Sequence, residues 1–91
     1  MSYCHKNDRS SVYVILQPYG KMTCCMCELR PTRDIDFPYG NYDALWTTDM
    51  IIHLNQHINA GHKVEKRVLK QLEKEAEALD SYMKRHRKWR H

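Results

Sequence analysis

The chain has 91 residues and a formal net charge of +4, with 42% hydrophobic and 29% charged residues. A chain of this length forms one small domain with a limited core, so a metal ion or a partner often adds stability. The longest apolar run, residues 12–16, is far shorter than the ~20 residues that cross a bilayer, and residues 1–10 are polar where a signal peptide is apolar. These features argue against a membrane protein and predict a soluble, cytoplasmic one.

The positive charge is concentrated in the last third of the chain. Residues 1–62 carry five Lys and Arg against six Asp and Glu, whereas residues 63–91 carry ten against five. Residues 84–90 hold five fixed positive charges, one histidine, one tryptophan and no acid. Such a segment favours phosphates, an anionic surface or an acidic patch on a protein.

Residues 10–24 predict a β-hairpin. The β-branched and aromatic residues at 12–16 favour a strand, residues 18–20 favour a turn, and a short strand then returns toward the cysteines. Residues 29–45 are irregular and contain two prolines and a glycine. A further short strand is predicted there at 32–37.

A helix is predicted to follow. The hydroxyl of Thr47 or Thr48 can cap it by accepting a hydrogen bond from an unpaired amide N–H of the first turn. The negative charge of Asp49 suits the positive end of the helix dipole. Apolar residues then recur at intervals of three and four up to about Ala60. Gly61 is predicted to end the helix in a left-handed conformation.

From about residue 64 the composition predicts a second helix of more than 20 residues, because strong helix formers dominate and glycine and proline are absent. Its apolar residues form one narrow stripe, here called the apolar seam, which consists of Leu69, Leu72, Leu79 and Met83, with Ala76 between them. Two heptads are too few to establish a coiled coil, so the seam can pack on the chain itself or on another molecule. The predicted fold is α+β, with a hairpin-and-helix module over 1–63 and a long basic helix over 64–91.

Cys24 and Cys27 have the Cys-x-x-Cys spacing with which one turn brings two thiolates to a zinc ion. In a reducing compartment this spacing, with histidines downstream, favours a metal site over a disulfide. His57 and His62 have a spacing that suits the other two ligands. His53 lies one helical turn before His57 and can replace His62.

Other ligand sets stay open. Cys25 in place of Cys24 would form a Cys-x-Cys turn, which is a poorer chelator. Cys4 and His5 become ligands if the N-terminal segment folds back. Without a metal, the thiols would fill the core and the histidines would lie on a solvated face of the helix.

The paired cysteines after a hairpin, the paired histidines and Leu54 three positions before His57 resemble the Cys-Cys-His-His zinc finger family over residues 12–63. The resemblance implies four zinc ligands, namely Cys24, Cys27, His57 and His62. It also implies a small core, formed by Leu54, Ile58 and an aromatic residue such as Trp46 or Phe37.

Two departures from that family limit what the resemblance implies. The gap between Cys27 and His57 holds 29 residues, whereas the family has about 12, and Thr48 stands where the family has an aromatic residue. A zinc site is compatible with both departures, but the family's mode of reading DNA is not implied. Residues 53–64 are also similar to small uncharacterised proteins of phages that infect actinobacteria, which implies expression in the cytoplasm of a bacterial host.

No catalytic residue is predicted. Residues 54–56, between His53 and His57, contain no carboxylate, so the zinc is predicted to be structural and not hydrolytic. The Cys-x-x-Cys pair precedes no βαβ unit, which argues against a thiol oxidoreductase. We therefore predict a non-enzymatic zinc-binding regulatory protein without a small-molecule substrate.

Two binding surfaces are predicted for a macromolecular partner. The first binds nucleic acid or a nucleoprotein machine through the basic end of the second helix, which contains Lys84, Arg85, Arg87, Lys88, Trp89 and Arg90. The alternative is an adaptor or inhibitor that binds a host protein, or a second copy of the chain, through the apolar seam.

Overall fold

A computed structural model describes residues 2–7, 9–17, 20–33, 35–36 and 38–86. Several predicted features therefore lie outside the described residues. These are most of the turn at 18–20, Phe37 and the four basic-end residues at 87–90.

The described chain forms a four-stranded antiparallel sheet followed by two helices, as the predicted α+β class requires. Strands that are neighbours in the chain are also neighbours in the sheet. The strands are β1 (Ser2–Cys4), β2 (Tyr13–Gln17), β3 (Lys21–Cys25) and β4 (Tyr42–Ala44). The helices are α1 (Thr47–Asn59) and α2 (Lys66–His86).

The predicted hairpin is formed by β2 and β3. Val14 lies opposite Cys24 and Leu16 opposite Met22 in its register, and all four side chains are buried. Because successive side chains of a strand point to opposite faces, the intervening residues of β2 are half-exposed.

The two outer strands differ from the prediction. β1 pairs with β2, and β4 pairs with β3, although neither strand was predicted. The predicted strand at 32–37 is wrong, because none of the described residues in that range lies in a strand. Both outer strands have only three residues. They are strands because they pair with the hairpin, and their own composition does not predict them.

The cap of α1 differs from the predicted threonine cap. Trp46 occupies the N-cap position and makes no side-chain capping bond. The backbone N–H of Thr47 donates to Oδ1 of Asp80 in α2, at 2.7 Å, while the Thr47 hydroxyl is buried without a hydrogen-bond partner. A carboxylate 33 residues further along the chain therefore satisfies the first amide of the helix, and no threonine hydroxyl has the predicted capping role.

The C-terminal end of α1 confirms the predicted stop. Gly61 has φ +86°, its N–H donates to the carbonyl of Ile58, and the N–H of His62 donates to the carbonyl of His57 at 2.8 Å. This pair of bonds is a Schellman motif, in which a left-handed residue lets the last helical carbonyls be satisfied. The turn brings His62 back beside the end of the helix.

The hydrophobic core is shared by the sheet and both helices. Leu54 is buried as predicted, but Ile58 and Trp46 are 43% and 42% exposed, so their predicted place in the core is wrong. Residues of β2, β3 and the helices fill the core instead, among them Val14, Met22, Met50, Val68 and Leu72.

The apolar seam of α2 lies against the chain's own core. Leu72, Leu79 and Met83 are buried, and Leu69 is partly buried against the same cluster. α2 also packs along α1. In the described part of the chain, neither helix combines the length and the apolar character that a membrane crossing requires.

Candidate metal centre

The two cysteines lie on a tight turn at the end of β3. Cys24 is in β3, and Met26 follows in the left-handed region with φ 49°. The N–H of Met26 donates to the side-chain oxygen of Asn41 at 3.0 Å, and the N–H of Cys27 donates to the carbonyl of Gly40 at 2.7 Å. These bonds hold the turn, so that both sulfurs lie on the side of the strand that faces α1.

The two histidines come from the buried face of α1. His53 and His57 are one helical turn apart, and residues four apart share a face. Met50 and Leu54 lie on the same face and are fully buried. The packing of this apolar stripe against the sheet therefore places both imidazoles beside the cysteines.

The four side chains meet in one buried cluster. Their potential ligand atoms all lie within 4.8 Å of one another. Sγ of Cys27 is 3.2 Å from Nε2 of His53 and 3.3 Å from Nε2 of His57. Nε2 of His57 is 3.7 Å from Sγ of Cys24 and 3.2 Å from Nε2 of His53.

These distances match the edges of a zinc tetrahedron. Zn–S bonds of about 2.3 Å and Zn–N bonds of about 2.0–2.1 Å place the sulfur and nitrogen atoms about 3.5 Å apart, and two nitrogens about 3.3 Å apart. The measured separations differ from these values by about 0.4 Å or less. The four residues could therefore hold a metal ion, with an inward adjustment of the widest pair, since the ligand atoms lie within 4.8 Å of one another.

Burial disfavours the charged forms of Cys24, His53 and His57 in the metal-free protein. It raises the pKa of the Cys24 thiol well above its ordinary value, and the neighbouring Cys27 raises it further. It lowers the pKa of His53. Burial, with His53, His62 and Lys6 nearby, lowers the pKa of His57 to about 4. Neutral imidazoles, each with a free lone pair, are the form in which histidine binds a metal.

Further side chains surround the cluster. The ring of Tyr42 stacks on His53, with 4.0 Å between ring centroids and 8° between planes. On the other side, Nδ1 of His57 is 2.8 Å from Nδ1 of His62, and Nε2 of His62 is 3.6 Å from Oε1 of Glu28. Metal-binding histidines commonly have such outer partners for the ring nitrogen that does not bind the metal.

Three of the four predicted ligands lie in the cluster, namely Cys24, Cys27 and His57. The fourth member is His53, the predicted replacement for His62. His62 instead contacts Nδ1 of His57, the ring nitrogen that faces away from the cluster. The sequence holds a signal for His53, since it follows Met50 by three positions and precedes His57 by four, on the apolar stripe of α1.

The other candidate ligands lie elsewhere. Cys25 is half-buried in β3 and is not a member of the cluster. Cys4 is buried, with its Sγ 3.5 Å from the carbonyl of Val12. His5 is exposed and its ring packs on Tyr13.

Comparisons with known protein families, with curated proteins and with solved structures find no match. The arrangement of Cys24, Cys27, His53 and His57 is consistent with a motif like that of the Cys-Cys-His-His zinc fingers.

Proposed function

We propose that this protein binds one zinc ion through Cys24, Cys27, His53 and His57, and that the ion stabilises its fold. The observation that supports this proposal most directly is the convergence of two sulfurs and two imidazole nitrogens within 4.8 Å inside the protein. Buried polar groups are unfavourable without partners. Two thiolates would also balance the charge of a divalent ion, so the loaded site would be neutral overall.

A structural role, without catalysis, suits this donor set. Structural zinc sites have four protein ligands, whereas catalytic sites keep one position open for water or substrate. All four side chains are at most 4% exposed. A tetrahedral ion held by them would have no accessible position for a substrate, so we propose that the protein is not an enzyme.

Metal analysis of cysteine variants tests the zinc site. We expect one zinc ion per purified full-length chain, and a tetrahedral absorption spectrum when Co²⁺ replaces it. Cys27→Ser should lose both properties. Cys25→Ser is the matched control, because it makes the same change two positions away in a residue outside the cluster. A metal-free wild-type chain, or a Cys27→Ser chain that retains its zinc, would overturn the proposal.

A pair of histidine variants tests the identity of the fourth ligand. His53→Ala should abolish the tetrahedral spectrum of the Co²⁺ form, because it removes a ligand. His62→Ala should keep that spectrum, because Nε2 of His53 already lies 3.2 Å from both Sγ of Cys27 and Nε2 of His57. The reverse result would assign the fourth position to His62.

We also propose that the protein regulates a process by binding nucleic acid, because cations dominate the exposed face of α2. Among the exposed charged residues that the structure describes in α2, six are basic and two are acidic. The basic residues are Lys66, Arg67, Lys70, Lys74, Lys84 and Arg85, here called the cationic face, and the acidic residues are Glu73 and Glu77.

With the two remaining acids included, the described residues of α2 still have six basic against four acidic side chains. Glu75 and Asp80 are half-buried, and Asp80 accepts a bond from the start of α1. Arg67 does contact Glu65, just before the helix, at 3.2 Å. Basic groups along one helix face attract phosphates, and the sequence continues with three more basic residues at 87–90, outside the described part of the chain. The apolar seam is mostly buried, so we do not propose it as the binding surface.

The salt dependence of binding tests the nucleic-acid proposal. Replacing Lys66, Lys70 and Lys74 together by glutamine should reduce the slope of log affinity against log salt by about 2–3, for single-stranded or duplex probes. The matched control, Glu73→Gln with Glu77→Gln, changes the opposite charge on the same face and should strengthen binding. Absence of binding at about 50 mM salt, or an unchanged slope in the lysine variant, would overturn this proposal.

A further inference from the structure

A chain of polar contacts leads from the metal centre to the surface through residues that are not ligands. Nδ1 of His57 is 2.8 Å from Nδ1 of His62. Nε2 of His62 is 3.6 Å from Oε1 of Glu28, and Oε2 of Glu28 is 3.7 Å from Nζ of Lys6. The chain joins the end of α1 to the residue that directly follows Cys27.

The contact between the two histidines defines the positions of their protons. Nε2 of His57 is the nitrogen that faces both sulfurs and His53, so it is the one that can bind the ion. A neutral imidazole that binds a metal through Nε2 carries its proton on Nδ1. That N–H must donate to Nδ1 of His62, since no other arrangement makes a hydrogen bond at 2.8 Å.

The same assignment satisfies the next contact. When Nδ1 of His62 accepts a hydrogen bond, the neutral ring carries its proton on Nε2. Nε2 is the nitrogen that faces the carboxylate of Glu28. One set of proton positions therefore suits the metal, both histidines and the glutamate.

We infer that His62 is a positioning residue for the metal centre, and that Glu28 in turn orients His62. The inference depends on the proposed function, in which His57 binds zinc. His62 would fix the tautomer and the ring orientation of His57, as outer partners of metal-binding histidines do. The Schellman turn at Gly61 makes this possible, because it returns the chain so that the His62 side chain lies beside His57.

Zinc affinity of two His62 variants tests the inference, with full-length protein and a chromophoric chelator as competitor. His62→Ala should weaken zinc binding about 10–100-fold, the usual cost of losing an outer partner. His62→Asn should restore most of the affinity, because its side-chain oxygen can accept the Nδ1–H of His57 in place of the imidazole nitrogen. His5→Ala, at an exposed histidine away from the centre, should have no effect.

The proton positions provide a readout that a purely structural role would not affect. Long-range ¹H–¹⁵N NMR of the zinc-loaded wild-type protein should show a protonated Nδ1 in His57 and a protonated Nε2 in His62. A proton on Nδ1 of His62, or wild-type zinc affinity in His62→Ala, would overturn the inference. If His62→Ala does not fold, Glu28→Ala decides instead, and wild-type affinity in that variant would overturn it.

The two proposals fail in different ways. A wild-type chain that binds no Zn²⁺ would overturn the proposed function itself. A wild-type chain that binds one Zn²⁺ with the tetrahedral signature, together with equal affinity in His62→Ala, would overturn only the role of His62.

Discussion

The hydrophobic core and the metal centre draw on the same two elements but differ in what stabilises them. β3 contributes Met22 to the core and Cys24 to the centre, and α1 contributes Leu54 to the core and His57 to the centre. Apolar burial stabilises by about 25 cal/mol per Å² without any partner atom of a particular kind. Buried thiols and imidazoles, in contrast, are costly unless they are paired or bound to a metal. The core can therefore form without an ion, whereas the centre would gain most of its stability from the zinc ion that we propose.

Removing the metal should cause the largest loss of stability, and the loss should begin at the metal centre and not in the hydrophobic core. Zinc binding contributes about 10–16 kcal/mol in small finger peptides, as much as the whole net stability of a typical domain, about 5–15 kcal/mol. We expect a strong chelator to lower the melting temperature and to increase amide hydrogen exchange first around the Cys24–Cys27 turn. A chelator should change nothing in Cys27→Ser. Identical melting and exchange of the wild-type protein with and without chelator would contradict a stabilising metal.

A core substitution should destabilise the protein whether or not metal is present. Leu72→Ala removes a fully buried side chain of α2 and should cost about 2–5 kcal/mol, measured by urea unfolding of the zinc-loaded protein. The Co²⁺ spectrum of the folded variant should be unchanged, since Leu72 is not part of the centre. The control Ile52→Ala, at a side chain 53% exposed, should cost about 0.5 kcal/mol or less. Equal losses in both variants would contradict the burial of Leu72.

Acidification should destabilise the metal-free protein through His57. Its pKa is about 4 in the folded chain and about 6.5 when unfolded. Above pH ~6.5 the ring is neutral in both states; between pH ~6.5 and ~4 only the unfolded state binds the proton, so stability falls as pH falls. The full loss is about 3 kcal/mol, to be measured by urea unfolding in chelator.

His57→Gln is the matched control for this pH dependence. It removes the titrating ring, so the metal-free variant should lose less stability than the wild-type protein over the same pH range. The lowered pKa of His53 acts in the same direction and will remain in the variant. Equal pH dependence in both proteins would show that His57 is accessible to protons in the folded state.

Loss of the Asp80 cap should have the smallest effect of the four. Asp80→Ala removes the acceptor for the N–H of Thr47 and should cost about 1 kcal/mol, as other cap deletions do. The amide resonance of Thr47 should shift, while zinc stoichiometry stays at one. Glu77→Ala, at an exposed acid in the same helix, is the control. A Glu77→Ala loss as large as that of Asp80→Ala would assign the effect to helix charge instead of the cap.

Local patterns were sufficient to predict the elements that depend on local physics. The hairpin of β2 and β3, the stop at Gly61 and the length of α2 follow from strand propensity, a left-handed residue and helix formers. β1 and β4 were missed because three-residue strands exist only through pairing with a neighbour. The cap of α1 was missed because its acceptor belongs to another helix.

The sequence predicted most of the residues that could bind the metal. It did not predict which histidine lies in the cluster as the fourth residue. Spacing identified Cys24, Cys27 and His57, because the Cys-x-x-Cys turn and the helix are local. The choice between His53 and His62 depends on how α1 is rotated against the sheet. That rotation follows from the burial of Met50 and Leu54, and burial becomes certain only once the partner surface is known. The spacing of apolar residues also identified the apolar seam, but it did not predict that the seam packs on the chain's own core.

The bond between Asp80 and Thr47 also bears on biosynthesis. Because the ribosome adds residue 80 long after residue 47, the nascent segment that carries both imidazoles emerges without the carboxylate that accepts its Thr47 N–H in the folded chain. It gains that partner only after α2 has emerged and folded back. If the proposed zinc site is correct, a stalled nascent chain that ends before residue 80 should hold the ion less tightly than a chain that includes α2.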